Sequence, residues 1–131
     1  MMTMKTLACA AALSLASLAV HAAGDHSHAH EHKPLYGGVV VEASDIDFEL
    51  VAKPEQITLY VRDHGKPAST GGAVAKLTLL NGADKSELAL SPAGDNKLEA
   101  KGSFKTGPGT KVVATVTLAG KKPVNVRFSL K

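Results

Sequence analysis

The chain has 131 residues, 15 Lys and Arg against 12 Asp and Glu, a formal net charge of +3, and few aromatics: two Tyr, three Phe and no Trp. That length suits one domain able to bury a core of its own. So slight a positive excess with so few rings argues against a nucleic-acid surface, base stacking or a large apolar ligand pocket.

Residues 1–22 read as a secretory signal peptide. A short start carries one charge, Lys5, and residues 6–20 are an uncharged run of Leu, Ala, Ser and Val. It ends in Val20-His21-Ala22, which suits signal peptidase, and Gly24-Asp25 follows. The run is too short for a comfortable membrane span, so no membrane insertion is expected after cleavage. Cleavage removes Lys5, and also the single cysteine, Cys9, with all three methionines. The mature chain is then free of sulfur, and packing without disulfides must stabilise it in an oxidising compartment.

Residues 23–34 are polar, small and histidine-laden, without hydrophobic period. They bury too little to order themselves and read as a flexible tail. Within it stands Asp25-His26-Ser27-His28-Ala29-His30-Glu31-His32, four imidazoles at every second position with two flanking carboxylates. Imidazole is a borderline ligand suited to zinc, copper(II), nickel and cobalt. Metal–nitrogen bonds of about 2.0–2.1 Å for zinc demand converging rings. Alternate side chains of an extended chain stand about 6.6 Å apart, so the tail must bend, which Ser27 and Ala29 permit. Ordering it costs roughly 1–2 kcal/mol per residue, which predicts moderate affinity and fast exchange, as a buffer or carrier requires. Absence of Cys and Met from the mature chain speaks against a copper(I) site. Cleavage one residue later would expose Gly24-Asp25-His26, a square-planar copper(II) or nickel(II) site, but His21 disfavours that cut.

From Leu35 onward the hydrophobic period is two. Ile46, Phe48, Leu50 and Ala52 alternate with Asp47, Glu49, Val51 and Lys53, and Ile57, Leu59 and Val61 with Thr58, Tyr60 and Arg62. Val112 to Leu118 and Val124 to Leu130 repeat the pattern. Such alternation places one face of each strand on a core and the other in water, so Asp45, Asp47 and Glu49 are expected on a wet face rather than in an acid–base pair. Turn chemistry punctuates the strands at Pro54, Asp63-His64-Gly65-Lys66-Pro67, Gly71-Gly72, Asn81-Gly82, Gly94-Asp95, Gly107-Pro108-Gly109 and Gly120-Lys121-Lys122. The prediction is an all-β, immunoglobulin-like sandwich of about eight short antiparallel strands over residues 35–131, with residues 35–41 as its first strand. His64, the one histidine in this part, sits in a turn with Asp63 as a potential co-ligand; a turn histidine is more often just solvated, and it is a supplementary candidate ligand provided the turn and the tail share one end of the fold.

Tyr36-Gly37-Gly38-Val39-Val40, Phe48-Glu49-Leu50-Val51, Leu59-Tyr60-Val61-Arg62-Asp63-His64-Gly65-Lys66-Pro67, Ser91-Pro92-Ala93-Gly94-Asp95-Asn96 and Lys111-Val112-Val113-Ala114 together resemble small periplasmic proteins that accompany heavy-metal efflux systems in Gram-negative bacteria. They are also similar to an amino-terminal β-domain of periplasmic adaptor subunits of metal-exporting RND pumps. The resemblance implies a role in metal resistance, sequestering ions in the periplasm or passing them to a pump subunit. It also implies a histidine before Gly37-Gly38, where this chain has Tyr36. The coiled-coil hairpin and lipoyl-like parts of a whole adaptor have no counterpart here.

The expectation is therefore a periplasmic, non-enzymatic binder of divalent transition metals. His26, His28, His30 and His32 are its ligands, with Asp25, Glu31 and His64 in support, and a pump adaptor is a candidate partner. The rival expectation is an immunoglobulin-like interaction module that docks on an envelope partner, with the histidine tail incidental.

Overall fold

The computed structural model describes residues 33–131, and among them the alternating apolar residues form strands and no helix. In chain order these are β1 (Val39–Ala43), β2 (Ile46–Lys53), β3 (Gln56–Asp63), β4 (Lys66–Pro67), β5 (Val74–Asn81), β6 (Asp84–Pro92), β7 (Lys97–Lys101), β8 (Lys111–Thr117) and β9 (Val124–Ser129). The expected count was about eight; β4 is a two-residue addition that pairs only with β3.

Tight turns set the register. Ser44 and Asp45 take positive φ, 52° and 64°, between the paired residues Ala43 and Ile46. His64 and Gly65 do the same, at 51° and 80°, between Asp63 and Lys66. Two positive φ values in a two-residue loop are what a type I′ hairpin requires, and its twist matches that of the strands it joins. Gly82 (φ 61°) supplies the first central residue of the loop between Asn81 and Asp84.

All pairings are antiparallel, in the order β1-β2-β3-β7-β6-β5-β8-β9. β6 turns the corner: Asp84 to Leu90 pair with β5, whereas Ser91 and Pro92 pair with β7. The sheet thereby curls back until β1 and β9 lie beside one another, although no ladder joins them among the described residues. The result is a nearly closed antiparallel sheet. Its interior holds the residues that the period of two marks as inward: Phe48 and Leu50, Ile57, Leu59 and Val61, Leu77 and Leu79, Leu98, Val112, Ala114 and Val116, Val126 and Phe128, each at most 2% exposed. Burying a side chain of this size contributes roughly 1.5–3 kcal/mol each, which is how a sulfur-free sheet of this size holds together.

Two expectations fail, for one physical reason. Residues 35–41 do not form the first strand; β1 begins at Val39, because Gly37 takes φ 76° and turns the preceding chain off the ladder. That chain lies over the outer face of β2 and β3. The face read as wet is accordingly covered where the strap crosses it: Glu49 is 0% and Arg62 4% exposed. Asp45, also placed on that face, belongs instead to the β1–β2 turn.

Candidate functional site

The histidine segment meets the folded sheet at residues 33–38, a strap held almost wholly through its backbone. The N–H groups of Leu35, Tyr36 and Gly38 donate to the Glu49 carboxylate, the first to Oε1 at 2.8 Å, the others to Oε2 at 2.8 and 3.0 Å. Arg62 completes the set, donating from Nη1 to Glu49 Oε1 at 3.3 Å and from Nη2 to the Lys33 carbonyl oxygen at 3.1 Å. A buried carboxylate is tolerable only when its lone pairs are occupied and its charge is countered, and here both conditions are met. Two further features fit the strap to the sheet. The Tyr36 ring stacks on Tyr60, with centroids 3.7 Å apart and planes within 9°. Gly38 lies so close to β2 that a Cβ there would stand 2.3 Å from the Leu50 carbonyl oxygen.

The strap has a direction. Gly38 sits at the level of Leu50, whereas Lys33 reaches Arg62, which pairs across the ladder with Asp47. Followed backwards from β1, the chain therefore crosses the outer face toward the end that carries the Ser44-Asp45 and His64-Gly65 turns. Glu42, Asp47 and Arg62 stand in register across β1, β2 and β3 at that end, and His64 follows Arg62 by two residues. Lys33, the first described residue, thus stands toward the end that carries the His64 turn, and residues 23–32 lie outside the described residues.

His64 itself is well exposed, its side chain 70% accessible, on the rim of an open cleft of about 610 Å³ lined by Ile46, Lys66, Ser69, Leu118 and Lys121 among others. Its Nδ1 contacts Asp63 Oδ1.

Of the seven residues singled out as metal ligands, only His64 lies among the described residues; Asp25, His26, His28, His30, Glu31 and His32 lie outside them. Among the described residues no group of three or more His, Cys, Asp or Glu is arranged to hold a metal ion. His64 is the one imidazole among the described residues. The residues that sequence reasoning missed are Glu49 and Arg62. Their signal was a Gly-Gly pair interrupting the supposed first strand, together with an acid and a base two rungs apart on facing strands. No family model, no curated protein and no solved structure matches the chain.

Proposed function

We propose that this chain is an exported protein of the periplasm that binds divalent transition-metal ions (zinc, copper(II), nickel or cobalt) and acts as a buffer or carrier for a heavy-metal efflux system. The nearly closed sheet is read in the same proposal as an immunoglobulin-like sandwich, residues 1–22 as the signal peptide, and a pump adaptor as the receiving partner. One observation carries it: four histidines alternate over residues 26–32, directly ahead of a root that is fixed to the sheet by a buried ion pair. His26, His28, His30 and His32 are the primary ligands, Asp25 and Glu31 add charge of the right sign, and His64 is the folded part's contribution.

The chemistry follows from the donor set. Neutral imidazoles bind and imidazolium does not, so metal is held at neutral pH and released as pH falls through about 6.5. A set of ligands that must converge on the ion gives reversible binding, which suits delivery better than storage. The test is calorimetric titration of the processed chain, residues 23–131, with zinc, copper(II), nickel and cobalt. Binding at pH 7.5 that disappears near pH 5, and in a variant with all four leader histidines changed to alanine, is the expected result. Full affinity in that variant would overturn the ligand assignment, and no binding of any of these ions would overturn the function.

A further inference from the structure

We propose that residues 33–43, the strap together with β1, form an exchangeable arm, and that a second copy of this chain takes up the arm in a domain-swapped dimer hinged at Ser44-Asp45. Exchange needs no metal, and it gives the chain a partner of its own kind, which the reading above does not assign.

Every described hold on the arm crosses the hinge. β1 pairs with β2 from Val39 opposite Leu50 to Ala43 opposite Ile46. The strap's N–H groups donate to Glu49 on β2, its Lys33 carbonyl accepts from Arg62 on β3, and Tyr36 stacks on Tyr60 of β3. Val39, Val41 and Ala43 pack against the core. The partners in these contacts come after Asp45 in the sequence, so a second copy offers the same set in the same register. Among the described residues β1 has a ladder on one side only, since it lies beside β9 without pairing. Releasing the arm therefore breaks one ladder, and it leaves β2 with an open edge and the Glu49–Arg62 pair uncovered. That surface takes an arm with free N–H groups at Leu35, Tyr36 and Gly38, and with a glycine where any side chain would strike the Leu50 carbonyl. The fitting occupant is another arm of this sequence.

The hinge supplies the drive. Ser44 and Asp45 both take positive φ, 52° and 64°, so that the chain reverses within two residues. A side chain in this region crowds the backbone, which is why glycine usually stands there. The hairpin loops at His64-Gly65 and at Gly82 each hold a glycine, and Ser44-Asp45 holds none. Short loops under such strain favour exchange. In the exchanged dimer both residues become extended, and β1 and β2 run on as one strand from Val39 to Lys53. Two such strands pass antiparallel at the two-fold axis, where the hinge residues of the two copies face each other. Each copy keeps the arm's contacts and loses the reversed turn, so that relief of the turn works against the entropy of association.

The processed chain, residues 23–131, contains no cysteine, which makes a cross-link decisive. Glu42 and Asp47 stand opposite each other across β1 and β2, one step beyond the pair that flanks the turn, a position close enough for a disulfide. In Glu42→Cys with Asp47→Cys, the closed chain forms this bond within itself and runs as a monomer on a denaturing gel. The exchanged dimer forms it twice between chains and runs as a dimer. The chain is treated with chelator, refolded at rising concentration and sized by light scattering, with circular dichroism as the folding control, and the isolated dimer is then oxidised. The expected result is a concentration-dependent dimer that survives the gel. Ser44→Asn with Asp45→Gly suits the reversed turn and is expected to weaken dimerisation by about tenfold, whereas Ser44→Val opposes the turn and is expected to strengthen it by about tenfold. Should Ser44→Val fail to fold, the other hinge variant decides. A parent that stays monomeric throughout, a dimer whose oxidised form separates on the gel, or a dimer indifferent to the hinge variants overturns the exchange. None of these results touches the metal reading, because chelator is present throughout.

Discussion

Replacing Glu49 by alanine removes the acceptor of three strap N–H groups and leaves the Arg62 guanidinium buried without its counter-charge. The strap donors can turn to water, because Leu35 and Tyr36 are exposed, so their loss is the smaller part. Arg62, 4% exposed, has no such recourse. Breaking a buried pair by removing one partner typically destabilises by about 3–5 kcal/mol. For a domain of this size, each kcal/mol lowers Tm by about 4–8 °C, so the melting point should fall by ~12 °C or more. Replacing both partners with apolar residues, Glu49→Leu with Arg62→Met, removes the uncompensated charge and should recover about 2 kcal/mol of the loss. Hydrogen exchange separates fold from strap: the amides of Leu35, Tyr36 and Gly38 should be protected in the parent and unprotected in the double variant even where stability returns. Denaturant unfolding of the metal-free chain supplies the free energies. A Glu49→Ala variant destabilised by less than ~1 kcal/mol, or parent amides at these positions that exchange as in an unfolded chain, would refute the reasoning.

The core, the strap's close approach and a surface ion pair each give a further expected outcome. Phe48→Ala, at a side chain 0% exposed in the middle of the core, should destabilise by about 3–5 kcal/mol in chemical denaturation. Gly38→Ala drives a methyl group against the Leu50 carbonyl and should cost about 3 kcal/mol, the upper end of overpacking, with loss of strap protection in hydrogen exchange. The Asp84 carboxyl is held below its usual 3.8 by the hydrogen bond from Lys105 and by that lysine's charge, against a minor opposing effect of burial. A depressed folded value means stability that is present above pH 3.8 and lost as pH falls through the lowered value. Asp84→Asn should therefore lie slightly below the parent at neutral pH and converge with it in acid, as thermal melts across that range and at two salt concentrations would record.

The strands were legible because burial on one face leaves a period of two in the sequence. Ile57, Leu59 and Val61 were assigned inward on that ground alone and are buried. The His64-Gly65 and Gly82 turns were legible because so few residues accept positive φ. Alternation says which side of a strand a residue takes and nothing about what covers that side. It therefore assigns Glu49 and Arg62 to water, although six residues of the chain's own strap shield them. The strap is hidden in the sequence because its composition divides between two familiar patterns: Lys33 and Pro34 pass as tail, and residues 35–41 pass as a strand until Gly37 turns. The pairing that makes Glu49 a partner of Arg62 depends on the register of β2 against β3, which becomes visible only in three dimensions. The candidate ligands divide likewise. Histidine composition marks residues 26–32 plainly, whereas the relation of His64 to their root needed the path of the strap.

The most direct test of the account is zinc titration of the processed chain, stripped with chelator and held at pH 7.5, beside its variant lacking the four leader histidines. The account predicts saturable uptake by the parent, reversed on acidification to pH 5, and a collapse of affinity in the variant. Failure of the stripped parent to take up zinc, or uptake that survives intact without His26, His28, His30 and His32, would contradict it.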